Sequence, residues 1–246
     1  MGPIFWLSMR QLGGRWRLAI ILLLAALPVG LAVLGATVGQ EDTNVEPGSN
    51  EADFVNIMVD GLLVASIMPI VTMALSTAAF GNELEDRTLS YLVLKPIPRW
   101  RIALPKLLAS MVIGVPLLVV SWAVASLLVL DIPVRASAAV GVGLLAGVTT
   151  YAAIFTWAGL MTTRALPFAL IYVFLWEGLI GSFIRGVDYL SVRGYTLAIM
   201  HGIDETGLSV LSARVIEFPA AVVGAVAMPV VFFWLTVRRL KRMDVP

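Results

Sequence analysis

The chain has 246 residues, 59% of them hydrophobic and only 13% charged, with a mean hydropathy of +0.94; this balance excludes an ordinary soluble domain and describes an integral membrane protein. The lack of cysteine also excludes disulfides, iron–sulfur clusters and thiolate metal sites. The formal charge of +1 hides a strong asymmetry, which emerges along the chain.

Pro3 to Arg17 sets Phe5, Trp6, Met9, Leu12 and Trp16 among Arg10, Arg15 and Arg17. The pattern suits a helix lying in the headgroup layer with snorkelling arginines, or an ordinary basic flank. Gly13-Gly14 would hinge it into the first apolar run, Leu18 to Gly39. That run is longer than the core of a secretory signal and more runs follow it, so it reads as a membrane span. Gln40 to Asp60 is acidic and rich in Asn, Pro and Gly, which fits a solvated loop ending in a solvated Asp60. The second span is Gly61 to Phe80.

Gly81 to Lys106 then interrupts the apolar sequence with GNELEDRTLSYLVLKPIPRWRIALPK. Asn82 as N-cap with Glu85 three residues on, and Glu83, Glu85 and Asp86 at the positive end of a dipole, predict a helix start. Lys95, Pro96 and Pro98 predict its stop, giving a helix of roughly three turns from Glu83 to about Leu94. Leu84, Tyr91 and Leu92, with Leu89 and Leu94 nearby, give it an apolar side for a partner or the membrane surface.

Four further apolar runs follow: Leu107 to Leu130, Ala136 to Leu160, Leu166 to Ile184 and Phe218 to Val237. All six runs have about the 20 residues that a spanning helix needs. Glu177, beside Trp176, is an ionisable residue inside a span, costly there and so a functional candidate. Its place late in the fifth span leaves three readings open: a local anchor, part of a transport path or outer gate, or a proton-coupled group. Arg185 to Glu217 is too polar to cross and too apolar for a plain linker, which predicts short outer helices resting on the bilayer.

An even number of spans puts both termini on one side. With that side inside, all of the 17 Lys and Arg residues except Arg135, Arg185, Arg193 and Arg214 are inside, and the first outer loop is acidic with no base. The positive-inside rule therefore predicts cytoplasmic termini. Arg238, Arg239, Lys241 and Arg242 then form an inner anchor for anionic lipid.

The sequence has no GxxxxGK[ST] loop for nucleotide phosphates, no HExxH and no GxSxG elbow, so no catalytic or metal-ligating set is predicted and any ATP and Mg must be bound by another chain. His201 alone cannot build a zinc site. The bases flank spans and form no soluble basic face, so no nucleic-acid partner is expected.

With the insert placed between spans two and three, the chain resembles the permease subunits of ABC-2 type transporters. The resemblance rests on Glu83, Glu85, Asp86, Thr88, Leu89, Tyr91, Leu92, Lys95, Pro96, Ile97, Pro98, Arg99 and Lys106, and on Trp176-Glu177 followed by Tyr189-Leu190-Ser191. Many relatives have glycine where this chain has Arg87 and Pro105. The resemblance implies an all-α integral membrane protein, a single domain over residues 1–246 with six transmembrane helices and an N-terminal interfacial helix. It also implies a cytoplasmic coupling helix between spans two and three and short extracellular helices between spans five and six. Glu83, Glu85, Asp86, Arg87, Thr88 and Tyr91 are the implied contacts with a separate ATP-binding subunit, present in two copies.

The implied function is export of an amphipathic or lipophilic substrate, such as a drug, lipid or peptide, across a bacterial or archaeal plasma membrane. Two permease chains, identical or diverged, would enclose the path among membrane lipids. The alternatives are an ion-coupled carrier or channel without an ATPase, and a membrane anchoring or assembly factor.

Overall fold

The computed structural model describes residues 2–38, 56–89, 94, 97–128, 132–162, 164–180, 187–209, 211 and 216–243. Among them the only regular structure is helical. An amphipathic helix α1 (Gly2–Leu12) breaks at Gly13 and Gly14, and α2 (Arg15–Val38) follows. Next, α3 (Ile57–Glu85) joins a π-helical stretch, Ile57–Ile67, to the α-helical pieces Met68–Ser76 and Ala78–Glu85. Pro69 marks the junction; the Met68 N–H still bonds to the Leu63 carbonyl five residues back.

Then come α4 (Trp100–Leu128), α5 (Val134–Met161) and α6, whose α-helical Ala165–Ile171 continues as π-helical Tyr172–Ile180. A 3₁₀ turn, Val187–Leu190, leads into α7 (Val192–Ile203), and α8 (Phe218–Lys241) ends the fold. By length and composition α3, α4, α5 and α8 can each cross a membrane. Within α2 and α6 the apolar stretches Leu18–Leu34 and Ala165–Gly178 are shorter.

α5 is the axis: 67% of its apolar window is buried inside the chain, against 11% for α8. α8 is peripheral, so Val223, Val226, Val230 and Trp234 are exposed, as suits a helix facing lipid. Hydrophobic sorting does not hold apolar helices together in lipid, so close van der Waals packing must. Small residues provide it. A methyl group at Gly159 would collide with the Thr77 carbonyl of α3, and methyl groups at Gly143 and Gly147 would collide with Met200 and Thr196 of α7. These glycines of α5 therefore serve packing within the chain.

Two ends of the bundle can be told apart. At one, here called the base, Phe80, Leu89, Ile102, Ala103, Leu160 and Leu240 form an apolar cluster against which Ile4 and Met243 pack. The ends of α3, α5 and α8, the start of α4 and helix α1 thus meet there. At the other end, the head, α4 turns into α5 through a Ser126–Ser137 hydroxyl contact of 2.6 Å and a Trp122 Nε1–H bond to the Ser137 carbonyl.

The helix predicted to begin at Glu83 does not begin there. Helix α3 runs unbroken through Asn82 and ends at Glu85. Asn82 therefore has no free helix start to cap; its carbonyl accepts the Asp86 N–H at 2.9 Å. Leu89 is helical again and buried; residues 90–93, and with them Tyr91, lie outside the described residues.

Candidate functional site

At the base the chain leaves α3 through a C-terminal cap. The Thr88 N–H bonds to the Glu83 carbonyl at 2.9 Å and the Arg87 N–H to the Leu84 carbonyl at 3.3 Å, with Arg87 at φ 56°. This six-to-one and five-to-two pairing around a left-handed residue is the Schellman arrangement, in which glycine is usual. Here Arg87 takes that left-handed position. The cap turns the chain sharply and leaves Glu85, Asp86, Arg87 and Thr88 exposed at the base.

Glu83 points the other way. It is buried, its Oε1 accepting from Lys106 Nζ of α4 at 2.7 Å. The same ammonium donates to the Ala79 carbonyl and lies 4.8 Å from the centre of the Phe80 ring. The expectation that Glu83 shares a contact surface with Glu85 and Asp86 is therefore corrected: its carboxylate faces α4, because the helical turn that exposes Glu85 carries Glu83 inward.

Beside the exposed turn a cleft of about 480 Å³ opens between α2, α3 and the start of α6. Ile20, Ile21 and Leu166 make it apolar, while Thr77, Asn82 and Glu85 give one wall polar groups.

A second polar cluster lies deep in the bundle, where α7 begins. Tyr195, Thr196, Leu197, Ala198, Ile199 and Met200 are all buried, so α7 is an inserted helix and does not rest on the surface as predicted. Its first N–H groups have no partners in their own helix and sit on residues that are buried or nearly so, and each would cost free energy if left alone. Glu177 supplies the partners. Its Oε1 accepts the Val192 N–H at 2.9 Å, its Oε2 accepts the Arg193 N–H at 3.4 Å and the Ser191 hydroxyl, and the Tyr151 hydroxyl of α5 also bonds to it. Ser191 completes the cap by accepting the Gly194 N–H at 3.0 Å.

The cluster extends to α3. Arg193 Nε donates to Asp60 Oδ1 at 2.7 Å, and its NH2 group lies 2.7 Å from the same oxygen. Burial disfavours the Arg193 charge, but the hydrogen bond and attraction to Asp60, with Glu177 adding to them, outweigh it and raise its pKa. Asp60 is thus paired, not solvated as predicted, because the inserted start of α7 brings a guanidinium to it. Sequence reasoning missed Tyr151, Ser191, Arg193 and Asp60 as one cluster; Ser191 before an apolar stretch was the legible signal of a helix start. Trp176, next to Glu177, is half-buried. His201, near the head end of α7, has Nδ1 3.2 Å from the Leu208 carbonyl.

The geometry thus offers an exposed charged turn at the base, a buried ion pair behind it, and a capped helix inserted from the head. No curated protein was found to match the chain. The family model for ABC-2 family transporter proteins matches residues 15–190, a stretch that holds the base turn, the Lys106–Glu83 pair and Glu177. The chain belongs to the ABC-2 transporter family and is a multi-pass membrane permease of an ABC-type system, a family that associates with an ABC ATP-binding subunit.

Proposed function

We propose that the chain is the transmembrane subunit of an ATP-driven exporter for an amphipathic or lipophilic substrate such as a drug, lipid or peptide. In this reading α2, α3, α4, α5, α6 and α8 are six spans, the base faces the cytoplasm, and two permease chains enclose the path with two ATP-binding subunits beneath. The membrane is the plasma membrane of a bacterium or archaeon. Hydrolysis of ATP with Mg belongs to the partner, and this chain contributes no catalytic group.

The observation that carries the reading is the base turn. Glu85, Asp86, Arg87 and Thr88 are exposed together at the end of an apolar helix, where a mere connector would need no capped, charged projection. The turn is the part of the chain best placed to receive a push from a nucleotide-driven subunit. The predominantly apolar spans and the mostly apolar cleft beside Glu85 favour a cargo with a lipophilic body.

The test is co-purification with the ATP-binding subunit, followed by ATPase measurement in lipid nanodiscs. Glu85→Ala together with Asp86→Ala should abolish stimulation of the ATPase with the spans intact. Full stimulation by that variant rules the reading out, as does solute flux that persists without the ATPase.

A further inference from the structure

We infer that Lys106 is the positioning residue of this coupling, the group that makes the base turn move together with both α3 and α4. The inference rests on the coupling reading above and adds to it the route by which a push enters the membrane.

Lys106 is only 1% exposed, although a lysine is almost never fully buried without a partner. Among the described residues its side-chain partners belong to the last turns of α3: Glu83 Oε1 at 2.7 Å, the Ala79 carbonyl and the face of Phe80. The pair therefore closes the neck of the insert, joining Glu83, two residues before the exposed turn, to the first turns of α4. Below it the neck stands on Phe80, Ile102, Ala103 and Leu160, which tie it to the end of α5.

Stability alone is a poor reason for such a pair. Two buried charges lose their hydration, and apolar side chains of the same volume often hold a structure as well or better. What the pair supplies is register. The ammonium reaches one carboxylate and one carbonyl, while Glu83 Oε2 has no hydrogen-bond partner among the described residues; sliding α3 past α4 by one turn would strand both charges. A force at Asp86 consequently displaces α3 and α4 as one body instead of bending the turn.

The chain's lack of cysteine makes the test direct. Spin labels are attached through Gly81→Cys, where an added side chain meets open space at the end of α3, and Val112→Cys, which is exposed on α4, in the full chain assembled with its ATP-binding subunit in lipid nanodiscs; neither position belongs to the proposed grip. With Lys106 and Glu83 in place, the label-to-label distance should be narrow and unchanged by ATP. In the double variant Glu83→Gln and Lys106→Met, which removes both charges and keeps their volume, the ATP-binding subunit should still bind. The distance should broaden, however, and ATPase stimulation should fall about tenfold.

A double variant with the native narrow distance and native stimulation would overturn the inference. So would an α3-to-α4 distance that shifts on adding ATP to the native pair, a measurement that does not depend on any charge variant folding. The underlying coupling reading fails separately, if the native chain does not stimulate the ATPase at all.

Discussion

Glu177 and Val192 meet inside the bundle, the carboxylate accepting the first amide of α7 at 2.9 Å with both residues buried. That contact explains how a helix can start at depth in a membrane protein: the acceptor that water would have provided comes from a neighbouring helix. The same carboxylate holds Ser191 and Tyr151, so it ties α5, α6 and α7 together.

Removing that acceptor should loosen α7 specifically. Glu177→Ala leaves the amides of Val192 and Arg193 without partners and should cost about 2 to 3 kcal/mol, whereas Glu177→Gln keeps an acceptor oxygen and should cost about 1 kcal/mol. Thermal unfolding in detergent gives the ranking, and hydrogen exchange should locate the lost protection at the start of α7. Equal melting of the two variants would show that capping is not the role of the carboxylate.

Asp60 and Arg193 should behave as a coupled pair. Their side chains are 15% and 16% exposed, dry enough for the interaction to exceed a surface salt bridge. A double-mutant cycle with Asp60→Asn and Arg193→Met should give a coupling of about 1 kcal/mol or more. Strict additivity would mean that α3 and α7 do not depend on each other through this contact.

Arg87 occupies a left-handed conformation, with φ 56°, that costs a side-chain-bearing residue about 1 kcal/mol. Arg87→Gly should therefore raise the melting temperature, less whatever the arginine's own contacts contribute, while Arg87→Val should lower it. The same Arg87→Gly variant should weaken stimulation of the ATPase if the guanidinium meets the partner. Arg87→Val melting no lower than Arg87→Gly would mean that the cap is not strained.

Asp204 ends α7, its N–H bonding to the Met200 carbonyl, and its carboxylate orders the turn that follows by accepting the Gly207 N–H at 3.1 Å and the Thr206 hydroxyl at 3.0 Å. The Gly207 bond above all, with Thr206 and the nearby Arg135, holds its pKa below the usual 3.8. A depressed carboxylate stabilises the fold at pH values above its unfolded pKa, and that contribution fades as pH falls through the folded one. The difference in melting temperature between the native chain and Asp204→Asn should therefore be constant near neutrality and shrink in strong acid. A difference that grows on acidification would contradict the assignment.

Much of this arrangement was legible in the sequence, and what escaped has physical causes. The helix-breaking Gly13-Gly14 pair and the apolar runs are local signals, and local signals predict helices well. The start of α3's last turn misled because Asn82, Glu83 and Glu85 spell a capping box, yet the preceding apolar helix simply continues through them; a cap needs an unpaired helix start, which spacing alone does not reveal. Glu83 and Lys106 were both visible as members of the insert. Their pairing was not, since it depends on the packing of α3 against α4. The cluster around Glu177 was the hardest to foresee, for it assembles groups from α3, α5, α6 and α7, and nothing in the composition of Arg185 to Glu217 says that part of it goes inside.

The central claim is that the base turn is where an ATP-binding subunit grips this chain. The most direct measurement places a photo-crosslinking residue at Asp86 and, in a separate variant, at Glu205 near the head, in membranes that contain the ATP-binding subunit. Crosslinking to that subunit from Asp86 and none from Glu205 is the expected result; adducts from Glu205, or none from Asp86 in an assembly that hydrolyses ATP, would contradict the account.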